Sequence, residues 1–221
     1  MPYGDLEWLA LTKEETIEPD LPICDPHHHF WDYRSIRIPY QRYLLHELIA
    51  DISSGHNVQS TVFIETTAMY KLDGPPELRS VGEVEFVQGL AAASASGVYG
   101  EYKAAAAIVG KADLNLGDQV EPVLDALQAA SPNRFRGVRY ACGWDKHPEV
   151  ENRAKQEQLL DPVFREGAKV LAKKGLTLDN TVYFPQLPEL ADFANAIPDL
   201  TIISNHIGCL LYTSPSPRDG L

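Results

Sequence analysis

Two histidines in the first quarter of the chain have the spacing of a paired ligand. His27 and His29 stand two residues apart in the sequence Asp-Pro-His-His-His-Phe-Trp-Asp, which begins at Asp25. In an extended strand, residues two apart point to the same side, so both imidazoles can act on one ligand while His28 points toward a surrounding helix layer. Neutral imidazole nitrogens bind divalent cations. The pair therefore predicts a cation-binding centre.

Other polar side chains lie where predicted strands end. His206 is predicted to be a third metal ligand or a donor to the substrate. Arg136 and Arg139 are three apart on a strand and point to opposite faces, so one of them can hold a substrate carboxylate; Arg139 is preferred because it is closer to the strand end. Glu65 is predicted to orient a histidine or contact substrate, with a structural hydrogen-bond acceptor as the alternative.

The elements that must position these residues are short apolar, β-branched runs that alternate with longer helical stretches. Strands are predicted at 21–24, 60–64, 104–109, 135–140, 176–178 and 200–204, and helices at 43–52, 81–95, 118–130, 161–173 and 187–196. Strands joined by helical crossovers predict an α/β fold with parallel strands. We interpret the pattern as a (β/α)8 TIM barrel truncated after about six β/α units, with its active site at the carboxyl ends of the strands.

Composition limits the functional class. The chain has 221 residues, a net charge of −12, 44% hydrophobic residues and three cysteines. The apolar content excludes a disordered chain, the acidic balance argues against nucleic-acid binding, and no apolar run is long enough to span a membrane. The acidic N-terminus is unlike a targeting peptide, so a cytoplasmic location is expected. The oligomeric state is left open.

Three segments are expected along the chain. Residues 1–20 are an N-terminal extension, 21–208 are the incomplete barrel, and 209–221 are a non-native tail. Residues 209–219 read CLLYTSPSPRD, which resembles the translation of a transposase sequencing adapter. Such a segment is excluded from the interpretation of the fold.

Three motifs together resemble one superfamily. The histidine segment that begins at Asp25, Arg136-Gly-Val-Arg139 and Asn205-His-Ile-Gly208 resemble signatures of the amidohydrolase superfamily. The closest resemblance is to its amidohydrolase-related branch, which includes metal-dependent hydrolases, sugar-acid lactonases and decarboxylases. The similarity runs from about Leu21 to Gly208 and implies a (β/α)8 barrel hydrolase.

The resemblance also implies roles for individual residues. His27 and His29 would bind one divalent metal ion, with zinc as the first choice, or would contact the substrate carbonyl without a metal. His206 would be a metal ligand or would polarise the carbonyl. A late-strand Asp would act as general base, and its position falls beyond Gly208.

The expected function is hydrolysis of a small cyclic ester (a lactone) or a related C–O or C–N bond. A metal-dependent decarboxylase on the same scaffold is one alternative. An inactive fragment, or a pseudoenzyme that only binds, is another, because the strand-eight Asp is absent from this sequence; as given, the chain is expected to be inactive and poorly soluble. The expected partner is a small carboxylated molecule, with neither nucleic acid nor membrane involved.

Overall fold

A computed structural model of the chain describes residues 10–33 and 41–209. Contacts within the chain divide it into two compact units. The first contains the residues up to Ile108 together with Ala130–Phe135, and the second contains Val109–Ala129 and the residues from Arg136 onward. The predicted extension at 1–20 lies partly outside the described residues, and the predicted tail lies outside them except for Cys209.

Eight strands are formed by the described residues. They are β1 (Ile23–His28), β2 (Trp31–Asp32), β3 (Arg42–Tyr43), β4 (Val58–Ile64), β5 (Lys103–Gly110), β6 (Phe135–Ala141), β7 (Thr177–Thr181) and β8 (Ile202–Ser204). Six of them form a sheet in the order β1-β4-β5-β6-β7-β8, and β2 pairs separately with β3. The pairs β1–β4, β6–β7 and β7–β8 are parallel.

The described residues also form five α-helices. They are α1 (Leu45–Ile52), α2 (Val81–Ala95), α3 (Glu121–Ala130), α4 (Pro162–Lys173) and α5 (Leu187–Ala196). The alternation of parallel strands with helices confirms the α/β class and the truncated (β/α)8 barrel. No helix within the described ranges is both long enough and apolar enough to cross a membrane.

Local sequence explains where the helices begin and what they bury. The Asp161 carboxylate accepts hydrogen bonds from the N–H groups of Val163 at 2.7 Å and Phe164 at 3.1 Å, and Pro162 occupies the first helical position of α4. Both features favour a helix start. α1 buries Leu45, Leu48 and Ile52 because that spacing places them on one helix face.

Two strand predictions were wrong at their carboxyl ends. β1 extends to His28 rather than ending at 24, and β7 extends to Thr181 rather than ending at 178. Polar residues interrupt both apolar runs, and hydrogen bonds to neighbouring strands extend the strands regardless of side-chain polarity. Pro26 is tolerated within β1 because this strand is an end strand of the sheet.

Candidate functional site

The first unit brings His27 and His29 together at the carboxyl end of β1. Their ring centroids are 5.0 Å apart, with the ring planes at 87°. Both side chains are partly exposed, whereas His28 between them is buried. This is the arrangement that alternation along a strand predicts for residues two apart. The two imidazoles can therefore act on a common ligand.

A hydrogen bond fixes the chemistry of one ring. His29 Nδ1 lies 2.7 Å from the backbone oxygen of Ile64. A carbonyl oxygen can only accept, so Nδ1 carries the hydrogen and Nε2 of a neutral His29 keeps its lone pair. Metal-binding histidines commonly donate their other nitrogen to a carbonyl in this way.

The described residues supply two of the ligands that a divalent metal ion needs. His27 and His29 supply two neighbouring imidazoles of the type that zinc prefers. Among residues 10–33 and 41–209, no group of three or more His, Cys, Asp or Glu side chains is placed to hold a metal ion. A metal bound at this pair would need further ligands beyond the two imidazoles.

A cavity of about 450 Å³ adjoins the pair and is lined by all three histidines. The rings of Trp31 and Tyr43, 5.3 Å apart and stacked, form part of its wall. The Tyr43 hydroxyl donates to Asp51 Oδ2 at 2.6 Å. A volume of this size accommodates a small organic molecule. Glu65, just beyond β4, is buried at 6% exposure but does not line this cavity.

The second unit contains a different polar group, on β6, β7 and the residue after β8. Arg139 is in register with Asp179 across the parallel pair β6–β7, so their side chains share a face. Burial raises the pKa of Asp179, while the hydrogen bond from Asn205 and the positive charge of Arg139 oppose that rise. The arrangement places a guanidinium and a buried carboxylate together.

The side chains of Arg136 and His206 are both exposed to solvent. Arg136, near the start of β6, is exposed, while Arg139 is half-buried. His206 follows β8 in a turn where it and Ile207 both have left-handed backbone, with φ of 53° and 52°. The roles predicted for Arg136, Arg139, Glu65 and His206 remain predictions.

Sequence reasoning assigned no role to three residues that the structure places in buried polar contacts. They are Thr61, Asp179 and Asn205. Asp179 and Asn205 stand at predicted strand ends, and a polar residue there needs a partner, but the sequence does not say which residue that partner is. Thr61 gave no such signal, because threonine is common in strands.

Comparison with known proteins identifies a family for most of the chain. The amidohydrolase family model matches residues 24–213. That range includes the histidine segment, the Arg136–Arg139 motif and the Asn205–Gly208 motif.

Individual relatives are longer than this chain. The uncharacterized protein y4mH of Sinorhizobium fredii is 26% identical over 91% of the chain, which spans 67% of that relative. A zinc-bound amidohydrolase from Burkholderia multivorans is 21% identical with a TM-score of 0.58, over 84% of this chain and 57% of that one. A Pseudomonas putida structure assigned as a 2-pyrone-4,6-dicarboxylic acid hydrolase is 14% identical with a TM-score of 0.53, over the same shares of the two chains. The two structures show a shared fold.

Proposed function

Since the chain belongs to the amidohydrolase family, we propose that the protein is a hydrolase. Its reaction would be the attack of water on the carbonyl carbon of a small cyclic ester, or the hydrolysis of a related C–O or C–N bond. The observation that carries this proposal is the His27–His29 pair, with rings 5.0 Å apart beside a cavity of about 450 Å³. The pair offers imidazole nitrogens to one ligand, and the cavity offers space for a small substrate.

His27 and His29 would hold one divalent metal ion in this proposal, with zinc as the expected metal. The bond from His29 Nδ1 to Ile64 O supports a metal over direct contact with the substrate carbonyl, because the remaining lone pair on Nε2 can bind a cation but cannot donate a hydrogen bond. A bound metal supplies Lewis-acid polarisation of a carbonyl and lowers the pKa of water. The Burkholderia neighbour with bound zinc supports this choice.

The remaining site residues would bind the substrate. We assign Arg139, with Arg136 as the alternative, to a substrate carboxylate through bidentate hydrogen bonds. His206 would be a further metal ligand or would stabilise the developing oxyanion, and Glu65 would contact substrate or orient a histidine. The Pseudomonas neighbour is named for a cyclic ester with two carboxylates, which supports a carboxylated lactone as substrate.

The test begins with the source gene, sequenced across the codon for Gly208, and uses the protein that its reading frame encodes. Proton release on a panel of five- and six-membered lactones, with and without a carboxylate, measures hydrolysis in the presence of zinc. We expect turnover of a carboxylated lactone, lowered by about 100-fold or more in His27→Asn and His29→Asn.

The control is His46→Asn, which removes an exposed histidine of α1 that does not line the cavity. It should retain full activity. Release of carbon dioxide from a carboxylated substrate without ring opening would contradict the hydrolase proposal and favour a decarboxylase. Zinc binding without any turnover would favour a protein that only binds.

A further inference from the structure

The middle histidine of the segment has its own set of buried contacts in the first unit. His28 is 7% exposed, and its ring packs edge-on against Phe30 and Phe63, with centroids 4.7 and 5.9 Å away. Its Nε2 shares a hydrogen bond of 2.8 Å with Oγ1 of Thr61. His28 therefore joins β1 to β4 through a side-chain hydrogen bond inside an aromatic cluster.

The same threonine oxygen also accepts a hydrogen bond from a third strand, β5. Thr61 is fully buried, and its Oγ1 accepts a hydrogen bond of 2.9 Å from the backbone N–H of Ala105 in β5. A hydroxyl has one hydrogen and two lone pairs, so it can serve both partners at once. One buried oxygen thus connects three successive strands of the sheet.

The backbone of Ala105 shows that this contact is built into the fold. Ala105 lies inside β5 with φ of 48°, a left-handed conformation that L-residues other than glycine rarely adopt. Such a residue persists only where its surroundings fix it. Its N–H is satisfied by the Thr61 side chain, so loss of that hydroxyl would leave a buried donor without an acceptor.

The contacts of His28 also constrain the orientation of its neighbours, because consecutive residues of a strand share one backbone. His27 and His29 are the sequence neighbours of His28 at the carboxyl end of β1, and alternation points their rings away from the aromatic cluster. The His29 ring is also held by β4, because its Nδ1 donates a hydrogen bond to Ile64 O. Ile64 is the neighbour of Phe63, which packs on His28. The orientation of the pair thus depends on the anchoring of the residue between them.

We propose that His28 and Thr61 are positioning residues that orient His27 and His29 for their common ligand. The inference rests on the proposed function in one respect, namely that the common ligand is a divalent metal ion. Hydrogen-bonding groups behind metal ligands typically contribute 10- to 100-fold to metal affinity. The hydroxyl of Thr61 would exert that influence through His28 rather than by touching the metal.

The test compares two substitutions at Thr61 in the protein that the reading frame of the source gene encodes, with Zn²⁺ alone as the probe. Thr61→Val removes the hydroxyl at nearly constant volume, and Thr61→Ser keeps it. We expect Thr61→Val to weaken zinc affinity by about 10-fold or more in competition with a chromophoric chelator, and Thr61→Ser to bind nearly as the parent does. His28→Phe, which keeps an aromatic ring without the nitrogen, should behave like Thr61→Val.

A matched control separates positioning from general loss of stability. Ser94 is 2% exposed, and its hydroxyl donates to Tyr102 O at 2.8 Å and accepts from the N–H of Ala104 at 3.1 Å. Ser94→Ala therefore removes an equally buried hydroxyl that serves the same strand, away from the histidines. It should lower the unfolding temperature and leave zinc affinity unchanged. Equal losses of zinc affinity in Ser94→Ala and Thr61→Val would overturn the inference.

A second measurement does not depend on the metal. An NMR cross-relaxation signal between the His27 and His29 rings, with the two rings assigned by substitution, is expected in the parent and in Thr61→Ser and should be lost in Thr61→Val. If the parent binds no zinc, the metal part of the proposed function fails while this ring contact still tests the positioning role. An unchanged ring contact in folded Thr61→Val would overturn it.

Discussion

Asn205 donates a hydrogen bond from its side-chain Nδ2 to Asp179 Oδ1 at 3.0 Å, with the two residues only 4% and 3% exposed. The bond joins the residue after β8 to the middle of β7, at the start of the turn that contains His206. Within the described part of the chain, Asp179 Oδ2 and Asn205 Oδ1 are buried without a hydrogen-bond partner. The pair is therefore sensitive to any change in its donors and acceptors.

Exchange of the two side chains tests the interaction between Asp179 and Asn205. Asn205→Asp places two buried carboxylates at hydrogen-bond distance and should lower the free energy of unfolding by about 3 kcal/mol. In the double variant Asp179→Asn/Asn205→Asp the donor and acceptor change places, so more than half of that loss should be recovered. Urea unfolding of the parent, both single variants and the double variant gives the coupling energy. Additive losses would show that the two side chains do not interact.

The left-handed turn after β8 predicts an unusual response to glycine. Ile207 is 93% exposed with φ of 52°, a conformation that costs an L-residue about 1 kcal/mol and glycine almost nothing. Ile207→Gly should leave the free energy of unfolding unchanged or raise it by up to about 1 kcal/mol. Ile203→Gly, in the extended backbone of β8, should lower it by about 1 kcal/mol. Equal losses at both positions would argue against the left-handed turn.

Burial of His28 predicts a stability that falls in acid. Desolvation lowers the pKa of His28 from 6.5 to about 4, despite the opposing charge of Asp25. Between these two values the unfolded chain binds more protons than the folded chain, so the free energy of unfolding falls as the pH is lowered, by about 3 kcal/mol across the window. His28→Gln should remove the contribution of His28 to the dependence of the unfolding free energy on pH.

Unfolding titrations from pH 7 to 4, with EDTA present to exclude metals, measure the effect. The exposed His46, changed to Gln, controls for loss of a histidine elsewhere. An identical slope in the parent and His28→Gln would contradict the buried, neutral state of His28.

Close strand contact at Gly137 predicts that no side chain is tolerated there. A Cβ at this position would lie 2.1 Å from Thr177 Oγ1 and 2.3 Å from Thr177 O, across the pair β6–β7. Gly137→Ala should therefore lower the free energy of unfolding by about 2 kcal/mol. Gly89 in α2 has open space around its Cβ position, so Gly89→Ala should raise it by about 0.5–1 kcal/mol. Thermal unfolding of both variants checks the contrast.

Much of the fold followed from local patterns. The bounds of α2 and α5 agree with the predicted bounds, and Asp161 with Pro162 indicated where α4 begins. β1 and β7 were predicted too short because the apolar run ends before the strand does. Strand length depends on pairing with the neighbouring strand, which a single segment does not encode.

By itself, the sequence determined the α/β alternation and the convergence of His27 and His29, because the period of a strand is a local property of the backbone. Only the tertiary structure decided that His28 meets Thr61, that Thr61 meets Ala105, and that Asn205 meets Asp179. These partners are 33, 44 and 26 residues apart along the chain, so no local period relates them. Burial by the rest of the fold also sets the pKa directions of His28 and Asp179, because desolvation depends on every element packed around a group.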